Sequence, residues 1–336
     1  MSVRKGGRQF MQKSLVSRGL VIGIMLLLVS VGAVSVISGK NKSITSYQED
    51  QHQSLGDISI NYEDLSNDVE YYALIIGVEK FEGIELPGPY IDDSAIDMYE
   101  KLLSSNNWNE ENIKLLLNEN ATKAGIQDAI TLWLDDKETE NDVVLYYFTG
   151  HSWKTPFPDR FKGHTYTYPY DYLNDNKITD VELGSWFDEL ESEHISIILD
   201  TCYSGRMTAL NKDGRTVLAA GGKFLFCPVD GDDSLESGIF TYHLLQGFDG
   251  VADINNDGWV SAKEVFHYAR MPTFHFSFWQ KFPFINFSRD YNLPIFIGPQ
   301  LPYIYDNHVG DILLINGSFT TNILINENER IFYRGN

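Results

Sequence analysis

The sequence predicts an α/β chain: a mostly parallel, doubly wound sheet with helices on both faces, in three layers. Three observations predict it. Residues 143–148 and 195–199 are apolar runs without a charge, each ending in turn residues, as expected of strands buried on both faces. From Tyr71 onward, apolar strands alternate with segments of helical spacing, which implies right-handed βαβ crossovers. A length of 336 residues with 43% hydrophobic content is enough to bury one large core and argues against disorder.

Within residues 1–39, five basic side chains (Arg4, Lys5, Arg8, Lys13, Arg18) precede an uncharged stretch over 19–38. This pattern is that of a signal peptide or a membrane anchor with its basic end cytoplasmic, so export of the remainder is expected. Residues 40–69 are polar and read as a linker or pro-segment. A first strand over 71–78 and a Pro-Gly turn at 86–89 lead to a helix over 92–103. There Ile96, Tyr99, Leu102 and Leu103 keep helical spacing. A strand follows at 113–117, and Thr122 is the expected N-cap of a helix reaching Leu134. The third strand ends before His151, and a helix at 181–190 precedes the fourth, which ends before Cys202. Residues 224–227 are expected as a fifth strand, with Cys227 a buried structural thiol. Residues 204–222, polar and containing Arg206, Lys212 and Arg215, are expected as a surface loop. Residues 292–297 are expected to supply the last strand. The tail, 299–336, alternates apolar positions without suggesting a function.

A count of 26 basic against 47 acidic residues, net −21, disfavours nucleic acid and anionic membranes as partners and favours cations such as calcium or basic peptides. Contact with a membrane is expected only through the N-terminal segment. With only two cysteines, the chain is no disulfide scaffold, and no organic cofactor is expected.

Open parallel sheets place their sites at the carboxyl ends of strands. An imidazole and a thiol at two such ends, His151 and Cys202, are candidates for an acid-base group and a nucleophile. His151 precedes Cys202 by about 50 residues, the order and separation found in caspases. The block Asp200-Thr201-Cys202-Tyr203-Ser204-Gly205 resembles the D-x-C-x-S-G block of metacaspases and related prokaryotic caspase-like peptidases. Residues 71–78 with Ile91-Asp92-Asp93-Ser94-Ala95 are similar to that family's first strand and following helix.

The resemblance spans residues 70–298 and implies a caspase-like fold and a cysteine endopeptidase. In such an enzyme Cys202 attacks and His151 shuttles the proton. Backbone amides near Gly150, Ser152 and Cys202 hold the oxyanion. Asp93 and Asp200 match positions lining the pocket for the residue before the cut. Carboxylates there attract Arg first, by bidentate pairing, then Lys, and repel Asp. Peptides or proteins with a basic residue before the cut are therefore the expected substrates. Residues 204–222 match the linker that family members often cut in themselves. Ser152 stands where the family usually has Gly. A Cβ there would hinder catalysis if that position needs positive φ, which leaves a decayed, calcium-stabilised interaction module as the alternative. A transpeptidase or asparaginyl-type peptidase of the same fold is a further alternative.

Residues 253–264 match the twelve-residue EF-hand calcium loop in full. Asp253, Asn255, Asp257 and Ser261 supply side-chain oxygens, Trp259 a backbone carbonyl, and Glu264 a bidentate carboxylate, with Gly258 at the sharp turn. Helices are expected on both sides, at 239–246 and 262–270. A weaker match at 171–182 has Leu173 and Asn176 where a ligand and the Gly should be.

Overall fold

The computed structural model describes residues 69–85, 90–154, 165–222, 234–281, 284–287, 294–297 and 299–317. All lie in the compact unit spanning 63–336. The leader 1–39, nearly all of the 40–69 linker, the 86–89 turn, and the strand expected at 224–227 with Cys227 fall outside the described residues. Among those described, no helix is long and apolar enough to cross a membrane.

Six strands form the central sheet: β1 (Tyr71–Gly77), β2 (Ile113–Leu117), β3 (Val143–Thr149), β4 (His194–Asp200), β5 (Arg215–Ala219) and β6 (Tyr303–Asp306), in the order β6-β5-β4-β3-β1-β2. Neighbours are parallel except β6, which pairs antiparallel with β5. The helices are α1 (Ile91–Leu103), α2 (Lys123–Asp128), widened into a π-turn over Ala129–Leu134, α3 (Asp180–Phe187), α4 (Ile239–Gln246) and α5 (Ala262–Lys281).

Alternation along the strands builds two cores, one on each face. Ala73, Ile75, Leu145, Tyr147 and Ile198 face Ala95, Met98 and Leu102 of α1, Phe240 and Leu244 of α4, and Phe266 of α5. Leu74, Ile76, Tyr146, Phe148, Ile197 and Leu199 face Ile126 of α2, Ile130 and Leu134 after it, and Leu183, Trp186 and Phe187 of α3. This is why residues 143–148 of β3 and 195–199 of β4 carry no charge: their large side chains enter one dry core or the other, at roughly 1.5–3 kcal/mol per large apolar residue buried.

The helices begin where their sequences say. Thr122 Oγ1 accepts the Gly125 N–H (3.0 Å) at the start of α2. Thr179 and Glu182 form a reciprocal capping box at α3.

Two expectations are corrected. Arg215–Ala219, inside the segment expected to be a surface loop, is the strand β5. Charge in this segment does not mark a loop, because Arg215 is only 4% exposed and is neutralised by Asp188 at 2.8 Å. The last strand is β6, from the tail, whereas Pro294–Ile297 pairs with Phe284–Phe287 in a separate hairpin. A further tail strand, Leu313–Asn316, pairs with Trp259–Ser261.

The chain passes outward from β1 to β2 and then returns to the other side of β1 for β3. This reversal is a topological switch point, and it opens a crevice at the carboxyl ends of β1 and β3.

Candidate active site

Register sets the site. Gly77 of β1, Thr149 of β3 and Asp200 of β4 are paired in one row across the sheet. Val78 N–H to the Thr149 carbonyl (3.1 Å) and Gly150 N–H to the Asp200 carbonyl (3.4 Å) carry the row one step further. His151 and Cys202 thus each follow the paired ends by two residues, on strands about 4.8 Å apart. Both emerge at the switch-point edge.

His151 is half-buried, its ring 5.7 Å from that of Phe81, which meets Tyr172 edge-on at 4.9 Å. Its carbonyl accepts the Tyr168 N–H at 3.0 Å. The ring therefore stands on an aromatic wall and at the start of a three-stranded ribbon, Ser152–Lys154, Thr165–Thr167 and Ile178–Thr179. Cys202, 7% exposed, opens a tight turn in which Tyr203 adopts left-handed φ 54. For a bulky residue that conformation costs on the order of 1–3 kcal/mol, so the surroundings must enforce it. Trp153 meets the Tyr203 ring edge-on at 5.6 Å, and the Lys154 ammonium lies 4.6 Å from its centroid. The turn is tied to the end of β5 by Gly205 N–H to the Gly221 carbonyl (2.8 Å) and Gly221 N–H to Ser204 Oγ (2.9 Å).

Ser152 does not need positive φ. It lies in the ribbon with ordinary strand geometry, and its hydroxyl donates to the Cys202 carbonyl. Its Cβ is accommodated, and its side chain joins the His151 segment to the Cys202 turn. The Gly150 N–H is directed into the sheet at the Asp200 carbonyl.

The two carboxylates expected to line the pocket differ. Asp200 is 1% exposed. Its Oδ2 accepts from the Thr241 N–H (3.1 Å) and hydroxyl (2.5 Å) at the start of α4. Burial lifts its carboxyl to about 6, partly offset by these two bonds. Asp93 is exposed in the first turn of α1, beside Ser94, whose Oγ accepts the Gly238 N–H at 2.8 Å. Its neighbour Asp92 accepts from Asn118 Nδ2 at 3.0 Å. Burial raises Asp92, but hydrogen bonds from Glu79 and Asn118 outweigh it and lower the carboxyl, while Glu79 is raised by its own burial and by Asp92.

In the 253–264 loop Gly258 takes φ +86, its N–H lies on Asp253 Oδ2 (3.1 Å), and Val260 pairs with Ile315. Glu264 reaches back to Ile254 N–H (3.2 Å) with one oxygen and to Ser261 N–H (3.0 Å) with the other. Asn255 Oδ1 accepts the Asp257 N–H at 2.9 Å, and Asp257 Oδ1 the Trp259 N–H at 2.8 Å. Among the described residues no three His, Cys, Asp or Glu side chains group so as to hold a metal. The loop's carboxylates rest on backbone amides. The weaker match at 171–182 is a structural loop: Asp171 holds Lys123 N–H (2.9 Å) and Asn176 (2.7 Å), and Glu182 caps α3 and pairs with Lys123 at 2.7 Å.

Sequence reasoning does not single out Phe81, Tyr168 and Trp153 around His151 and the Cys202 turn, nor Thr241, Tyr147 and Ser94 around Asp200. Only the Tyr166–Tyr172 run of aromatics offers a signal. The others lie far along the chain from what they touch. A cavity of about 970 Å³ between His194, Arg215 and His308 sits where β4 and β5 begin, on the edge away from Cys202.

With this geometry, residues 72–211 match the family described as "Metacaspase, peptidase C14 domain". The crystal structure of protein GSU0716 from Geobacter sulfurreducens is similar over 75% of this chain and 98% of its own, with TM-score 0.51 and 16% identity, a likeness of fold alone. No curated protein matches the chain. The match over this segment is consistent with a metacaspase-like protein of the caspase family, whose peptidase C14 domain is of the cysteine-peptidase type.

The buried Asp200 charge has a measurable consequence. Its carboxyl titrates at about 6 folded against 3.8 as reference, so the folded state binds more protons between those values and loses stability as pH rises through them. Asp200→Asn lacks this loss. Its stability relative to wild type should therefore climb between pH 4 and pH 7, by about 3 kcal/mol, since each tenfold change in proton affinity is worth about 1.4 kcal/mol. Urea unfolding of both proteins across that range measures it, and a flat difference would refute the buried-charge assignment.

Proposed function

We propose that this chain is a cysteine endopeptidase that hydrolyses peptide bonds after Arg or Lys, with Cys202 as nucleophile and His151 as its acid-base partner. The observation that carries the proposal is the common register of β3 and β4, two residues before each group. The Cys202 thiolate attacks the scissile carbonyl, forming a C–S bond and an oxyanion. As the C–N bond breaks, protonated His151 gives its proton to the leaving amine. Neutral His151 then takes a proton from water, whose hydroxide attacks the thioester, and Cys202 leaves as thiolate. With the Gly150 amide turned to Asp200, the Ser152 and Cys202 amides remain as oxyanion donors. Unstrained Ser152 supports this reading over a non-catalytic module.

Cys202→Ala and His151→Ala should each abolish turnover of an Arg-ended fluorogenic peptide while keeping the circular dichroism of wild type. Asp200→Asn should lower kcat/KM for that peptide by about 10²-fold, the loss expected when a buried charge partner is truncated. Turnover surviving in the Cys202 variant, or faster cutting after Asp than after Arg, would defeat the proposal.

Self-processing belongs to the same reading. Of the basic residues between Cys202 and Gly222, Arg215 is buried in β5 and Arg206 is half-buried, while Lys212 is exposed. Lys212 precedes β5 at the edge opposite Cys202, about 20 Å away along a strand of this length. Cleavage after Lys212 should therefore occur between molecules. Intact-mass time courses should show a rate rising with protein concentration and no cleavage in Cys202→Ala; a concentration-independent cut at Lys212 contradicts this.

Calcium is proposed as the ion of the 253–264 loop, held by Asp253, Asn255, Asp257, the Trp259 carbonyl, Ser261 and Glu264. The oxygen donor set and the Gly258 turn fit it, with the loop amides standing in for its charge. Bound there, it would supply positive charge among three carboxylates and tighten the loop. Calorimetric titration should give binding in wild type and at least tenfold weaker binding in Glu264→Gln, together with a calcium-dependent rise in Tm for wild type only. Equal affinity in the variant removes this loop as the site.

A further inference from the structure

The two oxygens of the Asp200 carboxylate have unequal surroundings. Oδ2 accepts both the N–H and the hydroxyl of Thr241, at 3.1 and 2.5 Å. Oδ1 is inaccessible to solvent and accepts no hydrogen bond among the described residues. A hydroxyl has one proton to give. Since Thr241 gives its proton to Asp200, the 2.6 Å bond between Tyr147 and Thr241 must run from the phenol to Thr241 Oγ1. Tyr147 is suited to this, because burial raises its phenol well above the ordinary value and keeps it protonated. The donor order is therefore Tyr147 to Thr241 to Asp200. The backbone closes on the same oxygen, as a Cβ at Gly238 would lie 2.6 Å from Oδ2.

We propose that Thr241 is a specificity-determining positioning residue: by saturating Oδ2 it leaves Asp200 a single receptive oxygen, so that the pocket takes Arg and Lys on nearly equal terms. The inference rests on the reading of Asp200 as the carboxylate that faces the residue before the cut. An ionised carboxylate oxygen has about two acceptor positions, and both on Oδ2 are filled. The advantage of a guanidinium over an ammonium at a carboxylate is its fork, one N–H to each oxygen. With Oδ2 engaged, that second bond has no acceptor, and the remaining contact at Oδ1 is one that a lysine ammonium makes equally well. The preference for Arg expected from two open carboxylates is thereby removed by a residue of α4.

The test compares kcat/KM for two peptides that differ only in Arg or Lys before the cut, using wild type, Thr241→Val, Thr241→Ser and Asp200→Asn, with circular dichroism on each. Wild type should show an Arg/Lys ratio within about fivefold. Thr241→Val keeps the backbone N–H but frees one position on Oδ2, and should raise the ratio about tenfold, the scale of one charge-assisted hydrogen bond. Thr241→Ser keeps the hydroxyl and should keep the wild-type ratio. Should the Val variant fail to fold, Thr241→Ala repeats the test with less volume to place. A wild-type ratio above fivefold, an unchanged ratio in Thr241→Val or a loss shared equally by both peptides overturns the inference. So does a Ser variant that follows the Val variant. If Asp200→Asn leaves both peptides unaffected, the pocket assignment has failed and this inference with it. If Asp200→Asn suppresses both while Thr241→Val leaves the ratio alone, only the role of Thr241 has failed.

Discussion

The candidate site of this molecule depends on the parallel register of β1, β3 and β4. Because side chains alternate across a sheet, a slip of one residue in β3 would move Tyr147 from one core to the other and carry His151 away from the height of Cys202. Both faces of β3 are buried, so such a slip would misplace large side chains in two cores at once. The same packing that stabilises the fold thus fixes the relative height of imidazole and thiol. At the end of β1, Gly77 serves this closeness: a Cβ there would lie 2.8 Å from Ala95 and 3.3 Å from the Asp92 backbone. Only glycine lets α1 start so near the strand end.

Two buried charges in the sheet are handled differently. Arg215 opens β5 and is matched by Asp188, so its charge is neutralised by an ion pair. Asp200 ends β4 without a basic partner among the described residues and is held by an amide and a hydroxyl from α4, which leaves its burial only partly offset. A paired buried charge can serve structure, whereas a carboxylate short of one partner costs stability and retains an acceptor. That difference is the feature on which the proposed binding role of Asp200 rests.

Helix α4 connects features that lie apart in the sequence. Its first turn engages Asp200. Its other end passes through the turn Gly247–Val251 into the 253–264 loop, and the loop strand Trp259–Ser261 is paired by Leu313–Asn316. The tail, which suggests no function by itself, completes the sheet with β6 and seats this loop, while the Leu314 carbonyl accepts Trp108 Nε1 at 2.7 Å.

Legible in the chain without its fold are the layered α/β class, four of the strands, the capping residue Thr122, the His151 and Cys202 pair, and the twelve-residue loop. Each of these is written in local periods or short motifs: uncharged β-branched runs, helical spacing, and fixed oxygen positions around a glycine. Folding in three dimensions was needed to define β5, β6 and the surroundings of Asp200. The charge in β5 reads as loop until Asp188, from another element, neutralises it. Thr241, Tyr147 and Phe81 carry no local signal, because their partners are reached through strand order and helix packing. A carboxylate's burial and the number of its free oxygens are properties of what folds over it, and no spacing along the chain encodes them.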